Sequence, residues 1–93
     1  MSFEVRQTRR FARQYKKLHD NIAQDVDVAI ESIAESPELG ERKKGDLNGL
    51  CVFKFRSQGQ LYLIGYTQDE QVRLIYLQSV GSHENFYRDL KRS

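Results

Sequence analysis

Residues 51–80 read CVFKFRSQGQLYLIGYTQDEQVRLIYLQSV, and the reading of this stretch decides the fold. Its period is two. Cys51, Phe53 and Phe55 fall on one side and Val52, Lys54 and Arg56 on the other, as side chains do along an extended strand. Ser57-Gln58-Gly59-Gln60 has the composition of a hairpin turn. Leu61–Thr67 is apolar on both faces, which marks a central strand. Gln68-Asp69-Glu70-Gln71 turns the chain again, and Val72–Val80 makes a third, largely apolar strand. Cys51 alternates with two phenylalanines and is read as a small core residue rather than a nucleophile.

Upstream of this meander the period is helical. Ser2–Arg6 first alternates, with Phe3 and Val5 opposed to Glu4 and Arg6, and predicts a short strand. Thr8 then caps a helix over residues 9–18, in which Phe11, Tyr15 and Leu18 share a face. His19 is expected to close that helix by bonding its last carbonyls. Asp20 or Asn21 caps a second helix with Ile22, Val26, Ala29, Ile30 and Ile33 on one side. Ser36-Pro37 stops it, because the residue before a proline is pushed out of the helical region. Residues 38–49 are polar and turn-rich. Beyond the meander, Gly81-Ser82 breaks the third strand, and Glu84–Leu90 predicts a last short helix with Phe86 and Leu90 four apart.

The expectation is an α+β fold: an N-terminal strand, a two-helix hairpin on one face of an antiparallel sheet with a three-strand meander, and a short C-terminal helix. The whole is one domain over residues 1–93, in keeping with the 93-residue length. That length excludes a dinucleotide-binding or barrel enzyme. The other sheet face, with Lys54 and Arg56, is only partly covered and is where function should lie.

Hydrophobic residues are 39% and charged residues 30%, a wet but globular composition. The chain shows no apolar run of membrane-spanning length and no secretory signal, and one cysteine excludes an internal disulfide. A cytoplasmic location and no membrane partner are the resulting expectations.

The net charge of +2 conceals blocks. Residues 5–18 hold Arg6, Arg9, Arg10, Arg13, Lys16 and Lys17 and no acid, whereas residues 20–38 hold six acids and no base. Mutual attraction across a helix hairpin is one explanation, and a functional basic surface on the first helix is the other.

Phosphate-binding glycine loops are absent, and His19 and His83 lie on different elements, so neither metal nor cofactor is expected. A basic, hydroxyl-bearing set remains. Lys43 and Lys44 precede the meander, Lys54 and Arg56 share a strand face, His83 follows the last strand, and Tyr87 lies one helical turn further. Lys and Arg neutralise a phosphodiester, His moves a proton near neutral pH, and Tyr stacks on a base or donates a hydrogen bond.

The passages FEVRQTRRFARQYKKL, DVDVAIESIAESP, KKGDLNGLCVFKFRSQGQ and VRLIYLQSVGSHENFYRDLK together resemble the RelE/ParE superfamily of toxins from type II toxin–antitoxin systems. The ending G-x-H-x-x-x-Y looks most like the YafQ-like branch, with His83 after Gly81 and then Tyr87. The resemblance implies a cytoplasmic, metal-independent endoribonuclease that cleaves mRNA, usually on the ribosome, by attack of the RNA 2′-OH, and so inhibits translation. It implies a cognate antitoxin partner, with operator DNA reached only through that antitoxin. By match to the motif, His83 is the general acid, Tyr87 orients the base or scissile phosphate, and Lys54 and Arg56 stabilise the phosphorane charge. Lys43 and Lys44 bind flanking phosphates, and Arg73 joins them as an RNA-binding residue. The general base is open between Lys54, Asp46 and Glu84. Asn48 and Leu61 stand where the RelE branch has arginines, so its arginine-rich site is not reproduced. The alternatives are a ParE-like inhibitor of DNA gyrase and a catalytically weak homologue that mainly binds antitoxin.

Overall fold

The computed structural model describes residues 2–45 and 49–92. In chain order the elements are β1 (Glu4–Gln7), α1 (Arg9–Lys16), α2 (Asp20–Glu35), a 3-10 turn (Pro37–Leu39), β2 (Glu41–Arg42), β3 (Cys51–Ser57), β4 (Gln60–Asp69), β5 (Leu74–Ser82) and α3 (His83–Arg92). The five strands form one sheet in the order β1-β5-β4-β3-β2. β3, β4 and β5 make the expected antiparallel meander. β1 closes one edge and runs parallel to β5, pairing Val5 with Ile75. The pairing is allowed because two helices and three strands separate β1 from β5, far more chain than a parallel crossover needs.

One sheet face packs against α1 and α2. Phe11, Val26, Ala29 and Ile33 from the helices meet Cys51, Ile64, Tyr66, Ile75 and Leu77 from the strands. Cys51 is buried there, as its alternation implied. The other face carries a smaller cluster of Leu50, Val52, Leu63 and Phe86, with Tyr87 and Leu90 of α3 against it. Burying a side chain of this size contributes roughly 1.5–3 kcal/mol, so Phe86 with the flanking Tyr87 and Leu90 docks α3 on that face.

Polar anchors fix the helices to the sheet. Thr8 accepts from the Phe11 N–H (3.2 Å) and donates to the Leu77 carbonyl (3.0 Å), so one hydroxyl caps α1 and ties it to β5. A bulge interrupts the β4–β5 register between Gly65 and Tyr66. Beside it Gln14 Oε1 accepts from the Val80 N–H (2.8 Å) and Ser79 Oγ (3.1 Å), satisfying buried donors. At the β3–β4 hairpin, buried Ser57 donates to Asp25 of α2 (2.6 Å).

Several boundaries differ from the sequence expectation. α1 ends at Lys16 through a tight turn in which Lys17 N–H bonds Gln14 and Leu18 N–H bonds Tyr15. His19 therefore does not close α1. It stands in extended backbone as the N-cap of α2, its carbonyl accepting from Ala23 N–H, and Asp20 and Asn21 lie inside the first turn. β2 falls in the stretch expected to be loop, because two residues show no readable period. Gly81 and Ser82 do not break β5. They pair with Leu63 and Tyr62, and α3 follows at once from His83. The opposite charges of α1 and α2 form no ion pair among the described residues, and the polar link between them is Tyr15 Oη donating to Asp27 (2.8 Å).

Candidate functional site

The site is built on the α3 side of the sheet. Alternation along β3 sends Val52, Lys54 and Arg56 to that side, and Lys54 and Arg56 are exposed. The register then lines up two rows across the sheet. Lys54 pairs with Leu63, which pairs with Gly81. Arg56 pairs with Leu61, and Tyr62 pairs with Ser82, so the next position, His83, falls beyond Leu61. His83 opens α3 directly after the Tyr62–Ser82 pair and shares a recess with Leu61, the partner of Arg56.

His83 is exposed at the start of α3 and lines a recess of about 260 Å³ with Gln60, Leu61, Ser82 and Glu84. Tyr87 follows one turn later, half-buried, with its ring edge-on to Phe86 at 5.0 Å. Phe86 is 1% exposed and seats α3 against Gly65. A Cβ on Gly65 would come within 2.8 Å of Phe86 Cζ. The absent side chain thus sets how closely α3, and with it His83 and Tyr87, approaches the sheet.

Lys43 enters from the stretch after β2. Its ammonium lies 5.7 Å from the Tyr87 ring centre and 2.7 Å from Glu41 Oε1, within reach of a cation–π contact. Glu41 pairs with Val52 and so shares the Lys54 side of the sheet. Its bond to Lys43 holds the Glu41 carboxyl below its ordinary range, with Lys54 adding a smaller effect. The same bond to Glu41, followed by Tyr87, pushes the Lys43 ammonium up, which favours its charged form. Lys44 is exposed beside it.

The fold thus places Lys43 against Tyr87, one turn from His83, with Lys54 and Arg56 on β3 across the sheet; Arg56, at the sheet edge, also lines a recess with Asp25, Val28 and Ser32 of α2. Arg73 is not among them. It sits at positive φ (54°) in the β4–β5 turn, over the Phe3 ring at 4.4 Å. β5 runs nine residues from there to the His83 end, about 27 Å of strand. Of the three general-base candidates, Glu84 shares the recess of His83, Lys54 lies on β3, and Asp46 lies outside the described residues, as does Asn48. Sequence reasoning missed Glu41, Gln60 and Ser82. Glu41 and Lys43 at i and i+2 share a side of an extended chain, but a two-residue strand inside a polar stretch carries no period to reveal it.

Sheet, helices and basic face together define a small α+β protein, and the comparisons give its class. The model of the ParE-like toxin family of type II bacterial toxin–antitoxin systems matches residues 5–91, and the chain belongs to that family. Among solved structures it is similar to RelBE2 from Mycobacterium tuberculosis, a toxin–antitoxin complex, with 25% identity, TM-score 0.72, and coverage of 89% of this chain and 100% of that one. It is also similar to the isolated E. coli RelE toxin, with 20% identity, TM-score 0.71 and 98% of both chains. The intact E. coli RelBE toxin–antitoxin complex matches at 20% identity and TM-score 0.71, over 86% of this chain and 95% of that one. A comparison with curated proteins finds no match. The chain is a RelE/ParE superfamily toxin with the expected α+β fold. No helix among the described residues is long and apolar enough to cross a membrane.

Proposed function

We propose that this toxin is a metal-independent endoribonuclease that cleaves mRNA, on the ribosome, and so inhibits translation. The observation that carries the reading is that His83 shares a recess with Leu61, the β4 partner of Arg56, with Lys54 one row away and Tyr87 one turn beyond. Cations and an imidazole on opposite sides of one short gap fit a phosphodiester whose charge rises in the transition state.

In this reading the RNA 2′-oxygen attacks the adjacent phosphorus and the P–O5′ bond breaks. His83, as imidazolium, gives its proton to the departing 5′-oxygen. Glu84, which shares the recess of His83, takes the 2′-proton. The products are a 2′,3′-cyclic phosphate and a 5′-OH. Lys54 and Arg56 stabilise the phosphorane, Tyr87 orients the base, and Lys43 and Lys44 hold flanking phosphates. Arg73, at the far end of β5, contacts RNA only if the strand crosses the whole sheet. A cognate antitoxin restrains the toxin, as the partners in the similar RelBE complexes suggest. Inducible expression followed by mapping of mRNA 5′ ends tests the reading: new ends should appear with wild type and be lost with His83→Ala.

The family match, which is to ParE-like toxins, favours a second reading, inhibition of DNA gyrase. A supercoiling assay with purified gyrase separates the two. Inhibition by the toxin with mRNA left intact would select the second.

A further inference from the structure

β1 is an edge strand, paired with β5 on one side only. The Glu4 N–H donates to the Arg73 carbonyl (3.0 Å) and the Thr8 N–H to the Leu77 carbonyl (3.0 Å), so the even-numbered residues face β5. In a parallel pair the residues between them turn their N–H and C=O groups the other way. Val5 and Gln7 thus direct their peptide groups out of the sheet, and such a row is a template for another strand. Phe3 marks its end, because its N–H is held by the Ala34 carbonyl of α2 (2.8 Å). The Val5 side chain lies on the helix side, against the main core. Beside it a recess of about 290 Å³, lined by Gln7, Phe11, Tyr15 and Ile30 among others, leaves room under the helices. Glu4 and Arg6 point to the other side, exposed, and bond each other at 2.7 Å.

We infer that a second copy of this chain pairs antiparallel with β1 about a two-fold axis through Val5, joining the two sheets into one. Under that axis the two Val5 residues exchange both backbone hydrogen bonds, and their side chains meet beside the recess. The Gln7 N–H reaches the Phe3 carbonyl of the second copy. Glu4 of each copy falls opposite Arg6 of the other, because an acid and a base stand one residue to either side of the axis. Opposite charges directly across a strand pair stabilise it, and like charges oppose it. The edge is therefore complementary to itself, as a two-fold interface must be.

The other open edge has the opposite character. β2 covers β3 only at Cys51 and Val52. A two-fold axis through Phe55 would set Lys54 against Arg56, and an axis through either basic residue would set it against its own copy. Charges on an edge block pairing when a copy meets its like; on β1 the copy meets its opposite. A ladder of four residues buries little surface, so the dimer is weak and depends on concentration. β3, with Lys54 and Arg56, lies three strands from β1, which leaves the candidate site open in each copy. The inference stands independently of RNA cleavage.

The test is sedimentation equilibrium of the antitoxin-free toxin over a concentration series, with thermal melts to confirm that each variant folds. Wild type should pass from monomer to dimer. Glu4→Arg and Arg6→Glu each place like charges opposite one another twice, and each should raise the dimer Kd by roughly 10- to 100-fold. A one-to-one mixture of these two variants should dimerise as wild type does, and so should the double variant Glu4→Arg/Arg6→Glu. Val5→Pro removes an outward donor that β5 does not use, a change an edge strand tolerates, and should abolish the dimer. A wild type that stays monomeric throughout the series overturns the inference. So does a dimer indifferent to both single charge variants, which would use another face. A monomeric wild type whose Val5→Pro variant loses affinity for the antitoxin also overturns it, and assigns the edge to an antitoxin strand.

Discussion

The Phe86 ring occupies the space that a Cβ on Gly65 would need, with the two atoms only 2.8 Å apart. Leu50 Cδ1 would stand at 3.3 Å on the same side. Helix α3 therefore sits on a glycine seat in β4, and the two residues of its sequence motif ride on it. Gly65→Ala should push Phe86 out and lower stability by about 1–3 kcal/mol, the range for overpacking. Denaturant melts measure the loss. RNA cleavage should fall further than the melt predicts, because His83 and Tyr87 move with the helix.

Tyr66 links the core to the approach of β2. Its buried hydroxyl donates to the Pro37 carbonyl (2.5 Å) and accepts from the Gly40 N–H (2.9 Å). Tyr66→Phe leaves both backbone groups without this partner and should cost about 1–3 kcal/mol. Gly40→Ala should be as damaging, since its Cβ would collide with the Tyr66 hydroxyl and ring.

The same residue sets an alkaline limit. Burial pushes the Tyr66 phenol up to about 12. The unfolded chain, with an ordinary phenol near pH 10, releases this proton first. The stabilisation is thus complete below about pH 10 and is lost as pH rises through about 12, by roughly 2–3 kcal/mol in all. Chemical denaturation between those limits should show a steeper slope in wild type than in Tyr66→Phe, where only the raised Tyr15 phenol bonded to Asp27 remains.

Glu41 and Lys43 form a pair that holds a lysine against an aromatic ring. The Lys43 side chain is only 24% exposed. Glu41→Ala should release it, and the ε-methylene protons of Lys43 should lose the upfield shift that the Tyr87 ring imposes. Glu41→Gln keeps an acceptor and should retain much of the shift. RNA affinity should weaken with Ala more than with Gln, since a lysine tail free to move pays more entropy on binding.

Much of this fold was legible because its long elements have clean periods. The alternation of Cys51, Phe53 and Phe55 against Lys54 and Arg56 gave β3 and its two faces. The apolar face of α2 and the Ser36-Pro37 stop gave the second helix. Short pieces were lost. β2 has two residues, and its place depends on the hydroxyl of Tyr66, 26 positions away from Gly40. The extent of β5 was misread at Gly81 because pairing with Leu63 overrides local propensity. The grouping of Lys54, Arg56, His83 and Tyr87 could be expected from resemblance. The link from Arg56 through its partner Leu61 to the recess of His83 needed the register. Arg73 illustrates the reverse: its residue type suited RNA, while the turn placed it over Phe3 at the far end of the sheet.

The central claim is that His83 protonates the departing 5′-oxygen of RNA. The most direct measurement compares wild type and His83→Ala on two mRNAs loaded on ribosomes, one ordinary and one with sulfur in place of the bridging 5′-oxygen at the cleavage site. A thiolate leaves without a proton, so general-acid catalysis becomes dispensable. On ordinary RNA the variant should be slower by about 10²–10⁴-fold, and on the sulfur substrate its rate should approach that of wild type. An equal defect on both substrates would contradict the assignment.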